Sequence, residues 1–229
     1  MAKASNVVLV HGAWADGSSW SKVIPLLQAR GLRVTAVQLP LNSLDADVAT
    51  VERAIALEDG PAILVGHSYG GVVITEAGND PKVVGLAYIA AFAPDIGQSA
   101  GSLGASVEPA RLNAEIRPDK EGFLKLTESG VKNDFAQDLT PAEKNVLFAA
   151  QGPTSLFSPT RRGALADLSK CKRLPGLAVN CALVWRQATT AIFWTTSEAL
   201  AAGPDNAGYR WLGRPILLPA AMQFFDRHT

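Results

Sequence analysis

Between Asn6 and about Asp95, short β-branched runs alternate with stretches whose apolar positions recur every three or four residues. Val7 to Val10 form an unbroken apolar run, the pattern of a strand covered on both faces. Ser18 or Ser19 can cap a helix that places Trp20, Val23, Ile24 and Leu27 on one face, with Pro25 inside it. Gly31 ends that segment, and Arg33 to Leu39 reads as a second strand. Ser43 or Asp45 opens a helix with Leu44, Val48, Val51 and Ile55 aligned, closed by Asp59-Gly60-Pro61. Ala62 to Val65 is a third buried strand, a helix follows Ser68, and Val83 to Phe92 is a fourth strand. This alternation predicts an α/β fold whose mostly parallel sheet is flanked by helices.

The pattern then changes twice. From Pro94 to about Pro159 strand-like runs vanish, Gly97 to Ser106 is rich in Gly and Ser, and Pro141 to Ala150 reads as a helix with Val146, Leu147 and Ala150 on one side. We expect an insertion over the sheet, at about 95–160. After about Leu168 the C-terminal quarter is atypical: it holds Cys171, Cys181, Trp185, Trp194 and Trp211. Neither Thr189 to Ala202 nor Tyr209 to Phe225 shows a clear period.

Composition narrows the class. A chain of 229 residues suits one domain, and 48% apolar against 18% charged residues marks an ordinary folded protein. Twenty-one basic and twenty-one acidic residues cancel with no long run of either sign, so neither nucleic acid nor an anionic membrane is an expected partner. The N-terminus lacks a signal-peptide pattern and no apolar run could cross a bilayer, so a cytoplasmic location is expected. Two cysteines ten residues apart exclude a Cys-rich zinc site.

Gly66-His67-Ser68-Tyr69-Gly70 fits the G-x-S-x-G nucleophile elbow. By chance that pattern turns up in roughly a tenth of chains this long. Its place between a buried strand and a helix makes it far more specific. An elbow projects the serine oxygen at the carboxyl edge of the sheet, and flanking glycines relieve backbone crowding. The chemistry also needs two backbone N–H donors for an oxyanion, one after the nucleophile and one from a loop after an earlier strand. Tyr69 and Ala13, within His11-Gly12-Ala13-Trp14, fit those roles.

Val7 to Trp14, Gly66 to Gly71 and Ala90-Ala91-Phe92-Ala93-Pro94-Asp95 together resemble the small bacterial α/β-hydrolases labelled pyrethroid hydrolases or carboxylesterases. These are relatives of plant methyl esterases and hydroxynitrile lyases. The resemblance runs from about Asn6 to Gln151-Gly152-Pro153 and is lost after about residue 168. It implies an α/β-hydrolase fold with a helical lid, a small-molecule carboxylic ester as substrate, and no metal or organic cofactor. It also implies a Ser-His-Asp triad whose acid follows a late strand and whose histidine lies near the C-terminus.

The chain departs from that pattern in its last quarter. Cys181-Ala182-Leu183-Val184 continues as Trp185-Arg186-Gln187-Ala188-Thr189-Thr190 without a carboxylate, and the late Ser-His loop is absent. Of three histidines, His11 belongs to the oxyanion loop and His67 lies inside the elbow, which leaves His228 as the candidate base. Asp205 and Asp226 are the weaker candidates for its acid. A shift of reading frame between about Pro159 and Arg186 would account for these departures together. The expected function is ester hydrolysis through an acyl-enzyme on Ser68. The alternatives are an impaired hydrolase fold without a complete triad, or lyase or perhydrolase work on the same scaffold.

Overall fold

The computed structural model describes residues 4–94, 100 and 109–155. A four-stranded parallel sheet has the order β2-β1-β3-β4, with β1 at Asn6–Val10, β2 at Arg33–Ala36, β3 at Ala62–Ser68 and β4 at Val83–Ala91. The structure thus has the parallel α/β sheet that the alternation predicts. Helices α1 (Ile24–Gln28), α2 (Leu44–Leu57) and α3 (Gly70–Ala77) connect the strands.

Alternation along β1 explains the two layers. Val8 and Val10 pack with Leu64 of β3 against Val51 and Ile55 of α2 and Val73 of α3. Val7 and Leu9 face the other way, with Ile63 and Val65, onto Trp20, Val23 and Leu27. Because successive strand side chains point to opposite faces, a strand buried on both must be apolar throughout. Every residue of β1 is inaccessible to solvent, including Asn6. Its amide donates to the carbonyls of Pro61 and Asp59 at 3.2 and 3.3 Å, tying the start of β1 to the turn before β3.

Ser43 opens α2, its hydroxyl accepting from the Ala46 N–H. At the other end Lys82 Nζ donates to the carbonyls of Ile55, Ala56 and Glu58 at 2.8–3.2 Å. A cation there satisfies carbonyls that the helix leaves unpaired and complements its dipole.

Several boundaries differ from the sequence expectation. The first helix is broken into a 3₁₀ turn at Gly17–Trp20, capped by Asp16 rather than Ser18 or Ser19, and the short α1 with Pro25 in its first turn. Proline lacks an N–H and is tolerated only there, so it sets the break. The second strand stops at Ala36 instead of Leu39.

The insertion also holds strands where none were expected. β5 (Ile116–Pro118), β6 (Phe123–Leu126) and β7 (Thr154–Ser155) form an antiparallel sheet of order β5-β6-β7. Helix α4 (Pro141–Ala150) is present as expected, with a capping box between Thr140 and Glu143. Its packed side is formed by Leu147 and Phe148, whereas Val146 is 66% exposed. The core beneath joins Ala15 to Leu126, Val131 and Ala136. Among the described residues, no helix is long and apolar enough to cross a membrane.

Candidate active site

Ser68 ends β3, and α3 begins two residues later. Its φ of 52° lies in the left-handed region, which costs a non-glycine residue roughly 1–2 kcal/mol. Strain of this kind persists only where the surroundings fix it, and here they do. A Cβ on Gly66 would fall 2.6 Å from the Gly70 carbonyl oxygen, and one on Gly70 would fall 2.5 Å from the Val10 carbonyl oxygen. The turn can close only where both positions lack side chains. On the far side, the Phe92 N–H donates to the Ser68 carbonyl at 3.0 Å.

The His11–Trp14 segment passes directly over Ser68. A Cβ on Gly12 would lie 2.8 Å from Ser68 Cβ and 3.3 Å from Ser68 Oγ. Ala13 is therefore one residue from the serine hydroxyl, and among the described residues nothing accepts from its backbone N–H. Tyr69 caps α3 on the other side, at a helix end where backbone N–H groups collect with partial positive charge. The structure thus brings Ser68, Ala13 and Tyr69 together.

Two histidines border this site, and neither is poised as a base. The Leu39 N–H donates to His11 Nε2 at 3.0 Å, so Nδ1 carries the proton and donates it to the Gly12 carbonyl at 2.8 Å. Burial lowers the His11 pKa, against the opposing influence of the Gly12 carbonyl and Asp16. Burial, with a smaller contribution from nearby His11, lowers His67 to about 3, and its Nε2 has no hydrogen-bond partner. Both rings are neutral at pH 7. His228, Asp205 and Asp226 lie outside the described residues.

Two contributors had not been singled out from the sequence. Trp14 holds a φ of 58°, its N–H donates to Thr154 Oγ1 and its indole Nε1–H to the Leu124 carbonyl, each at 3.1 Å. Asp47, wholly buried on α2, accepts from the Leu41 N–H and the Tyr69 hydroxyl, each at 2.8 Å. The second missed residue had one available signal, an acidic side chain at a position flanked by apolar helix residues. Among the described residues no group of His, Cys, Asp and Glu could hold a metal ion.

The profile of the alpha/beta hydrolase family matches residues 7–226. Methylesterase 1 of Arabidopsis thaliana is 34% identical over 195 residues, 74% of this chain and 72% of that protein. The carbendazim hydrolyzing esterase of Nocardioides sp. is 34% identical over 128 residues, 49% of this chain and 52% of that protein, so the match spans about half of the latter. Among solved structures, a pyrethroid hydrolase from Sphingobium faniae JZ-2 is 28% identical with a TM-score of 0.55, over 60% of this chain and 63% of that one. With the parallel sheet, the strained serine turn and a family match across nearly its whole length, this chain belongs to the alpha/beta hydrolase family.

Proposed function

We propose that the protein hydrolyses a small-molecule carboxylic ester through an acyl-enzyme on Ser68. The observation that carries this reading is Ser68 itself, at a φ of 52° beneath the Gly12–Ala13 backbone. Ser68 Oγ attacks the ester carbonyl, and the N–H groups of Ala13 and Tyr69 receive the charge that develops on the carbonyl oxygen. A histidine takes the serine proton, returns it to the departing alcohol, and then activates water against the acyl-enzyme. His11 has both ring nitrogens engaged and His67 is buried with its Nε2 unpartnered, so His228 fills this role by elimination. The insertion at about 95–160 serves as the lid and sets the acyl or alcohol group accepted. The named esterases and hydrolases among the relatives support the same reaction class.

The test is steady-state hydrolysis of a short-chain p-nitrophenyl ester by the full chain, with Ser68→Ala and His228→Ala beside it. The reading expects turnover that falls by about 10⁴-fold or more in each variant. Turnover that survives Ser68→Ala sinks it, and turnover indifferent to His228→Ala removes that residue from the site.

A further inference from the structure

We propose that Asp47 is a positioning residue for the oxyanion site, holding Tyr69 through its side chain so that the Tyr69 backbone N–H stays aimed at the substrate oxygen. The inference rests on Ser68 being the nucleophile.

Asp47 sits in the first turn of α2, where acidic residues are usually solvated, yet it has no solvent exposure. Burying a carboxylate is costly unless hydrogen bonds replace its water. Here Oδ2 accepts the Tyr69 hydroxyl and Oδ1 accepts the Leu41 N–H, both at 2.8 Å. Hydrogen bonds to a carboxylate are roughly twice as strong as neutral ones, so Tyr69 is fixed at both ends: by the elbow backbone and by its hydroxyl.

The second half of the contact reaches the other oxyanion donor. Leu41 adopts a φ of 55°, and its carbonyl accepts from the Ser155 N–H at 2.8 Å. The neighbouring Thr154 hydroxyl accepts from the N–H of Trp14, the residue after Ala13. One buried carboxylate therefore lies at the junction of two short paths, one ending beside Tyr69 and the other beside Ala13. A pair of donors works only if their separation is held as charge develops. Substitution of either end of the Asp47–Tyr69 contact should loosen that separation without touching the nucleophile.

The experiment compares Tyr69→Phe, Asp47→Ala and Asp47→Asn with the wild-type full chain on the same ester. Ser68→Ala serves as the activity blank, and Ile55→Val as a core-trimming control. Tyr69→Phe keeps the ring and removes only the hydroxyl. We expect kcat to fall roughly tenfold in Tyr69→Phe and Asp47→Ala with KM within about twofold, less than the ~10²-fold that a full 1 Å misplacement can cost. Asp47→Asn keeps an acceptor for Leu41 and a polar group facing the hydroxyl, and should regain most of the loss. Ile55→Val should lower Tm and leave kcat in place, which separates positioning from general destabilisation.

Wild-type kcat in folded Tyr69→Phe overturns the proposal, and if Asp47→Ala fails to fold, Tyr69→Phe alone decides. Absent wild-type turnover, or turnover that persists in Ser68→Ala, overturns the underlying serine reading and the proposal with it.

Discussion

The two segments that meet at Ser68 each carry a buried histidine, and the two rings serve their surroundings differently. His11 spends both ring nitrogens on backbone groups, joining the Gly12 carbonyl to the Leu39 N–H. His67 engages no partner through Nε2, and around it close backbone packing between Gly66, Gly70 and the end of β1 adds to the Phe92–Ser68 and Tyr69–Asp47 hydrogen bonds. One histidine ties its loop to a distant residue by directional bonds, whereas the other only fills space in a turn where backbones touch. Bonds can be deleted singly, whereas packing fails as a unit.

The sharpest way to break the contrast is Gly70→Ala. The added methyl would meet the Val10 and His11 carbonyl oxygens at 2.5 and 2.7 Å, so it disturbs elbow and loop together. We expect a loss of at least about 3 kcal/mol, or no soluble protein, measured by urea unfolding. Next comes His11→Leu, which strips one buried donor and one buried acceptor of their partner. That should cost about 2–4 kcal/mol in the same assay while the elbow stays folded. A cost under about 0.5 kcal/mol would mean the loop is held by packing too.

The smallest effect sharpens the contrast. Burial holds His67 at about 3 against an ordinary 6.5, so the unfolded chain binds a proton there that the folded one refuses. Stability from keeping this ring neutral is complete above about pH 6.5 and is lost as pH falls toward 3, approaching about 1.4 kcal/mol per unit. His67→Leu should be close to neutral at pH 7.5 and more stable than wild type at pH 5, because it lacks the ring that the unfolded chain protonates. Parallel stability curves for the two proteins would contradict this.

The same difference explains what the sequence could reveal. The elbow and the strand leading into it were legible because they obey local rules: apolar continuity where both faces are covered, and glycine where backbones touch. β1, α2 and the Ser43 cap were legible for similar reasons. The antiparallel sheet of the insertion was not, since strands of three, four and two residues are too short to show a period. Trp14 acts through Thr154 and Leu124, 140 and 110 positions away, and Asp47 through the Tyr69 hydroxyl, 22 positions away. No window along the chain contains such pairs. Val146 misled for a simpler reason: apolar residues stand at 146, 147 and 148 in a row, and packing chose Leu147 and Phe148.

A further consequence lies in β4, next to the elbow. Between the pairs His67↔Ile89 and Ser68↔Ala91 the strand carries one extra residue, Ala90, at a φ of 40°. A bulge of this kind rotates everything after it, so the course of the chain from Phe92 onward depends on one small residue in an otherwise uniform apolar run. In a saturation library, position 90 would tolerate Gly and Asn and reject Val and Ile. The reverse preference would rule at Ile89 beside it. Such an abrupt switch in tolerated residues would let the bulge be located from selection data alone, without coordinates.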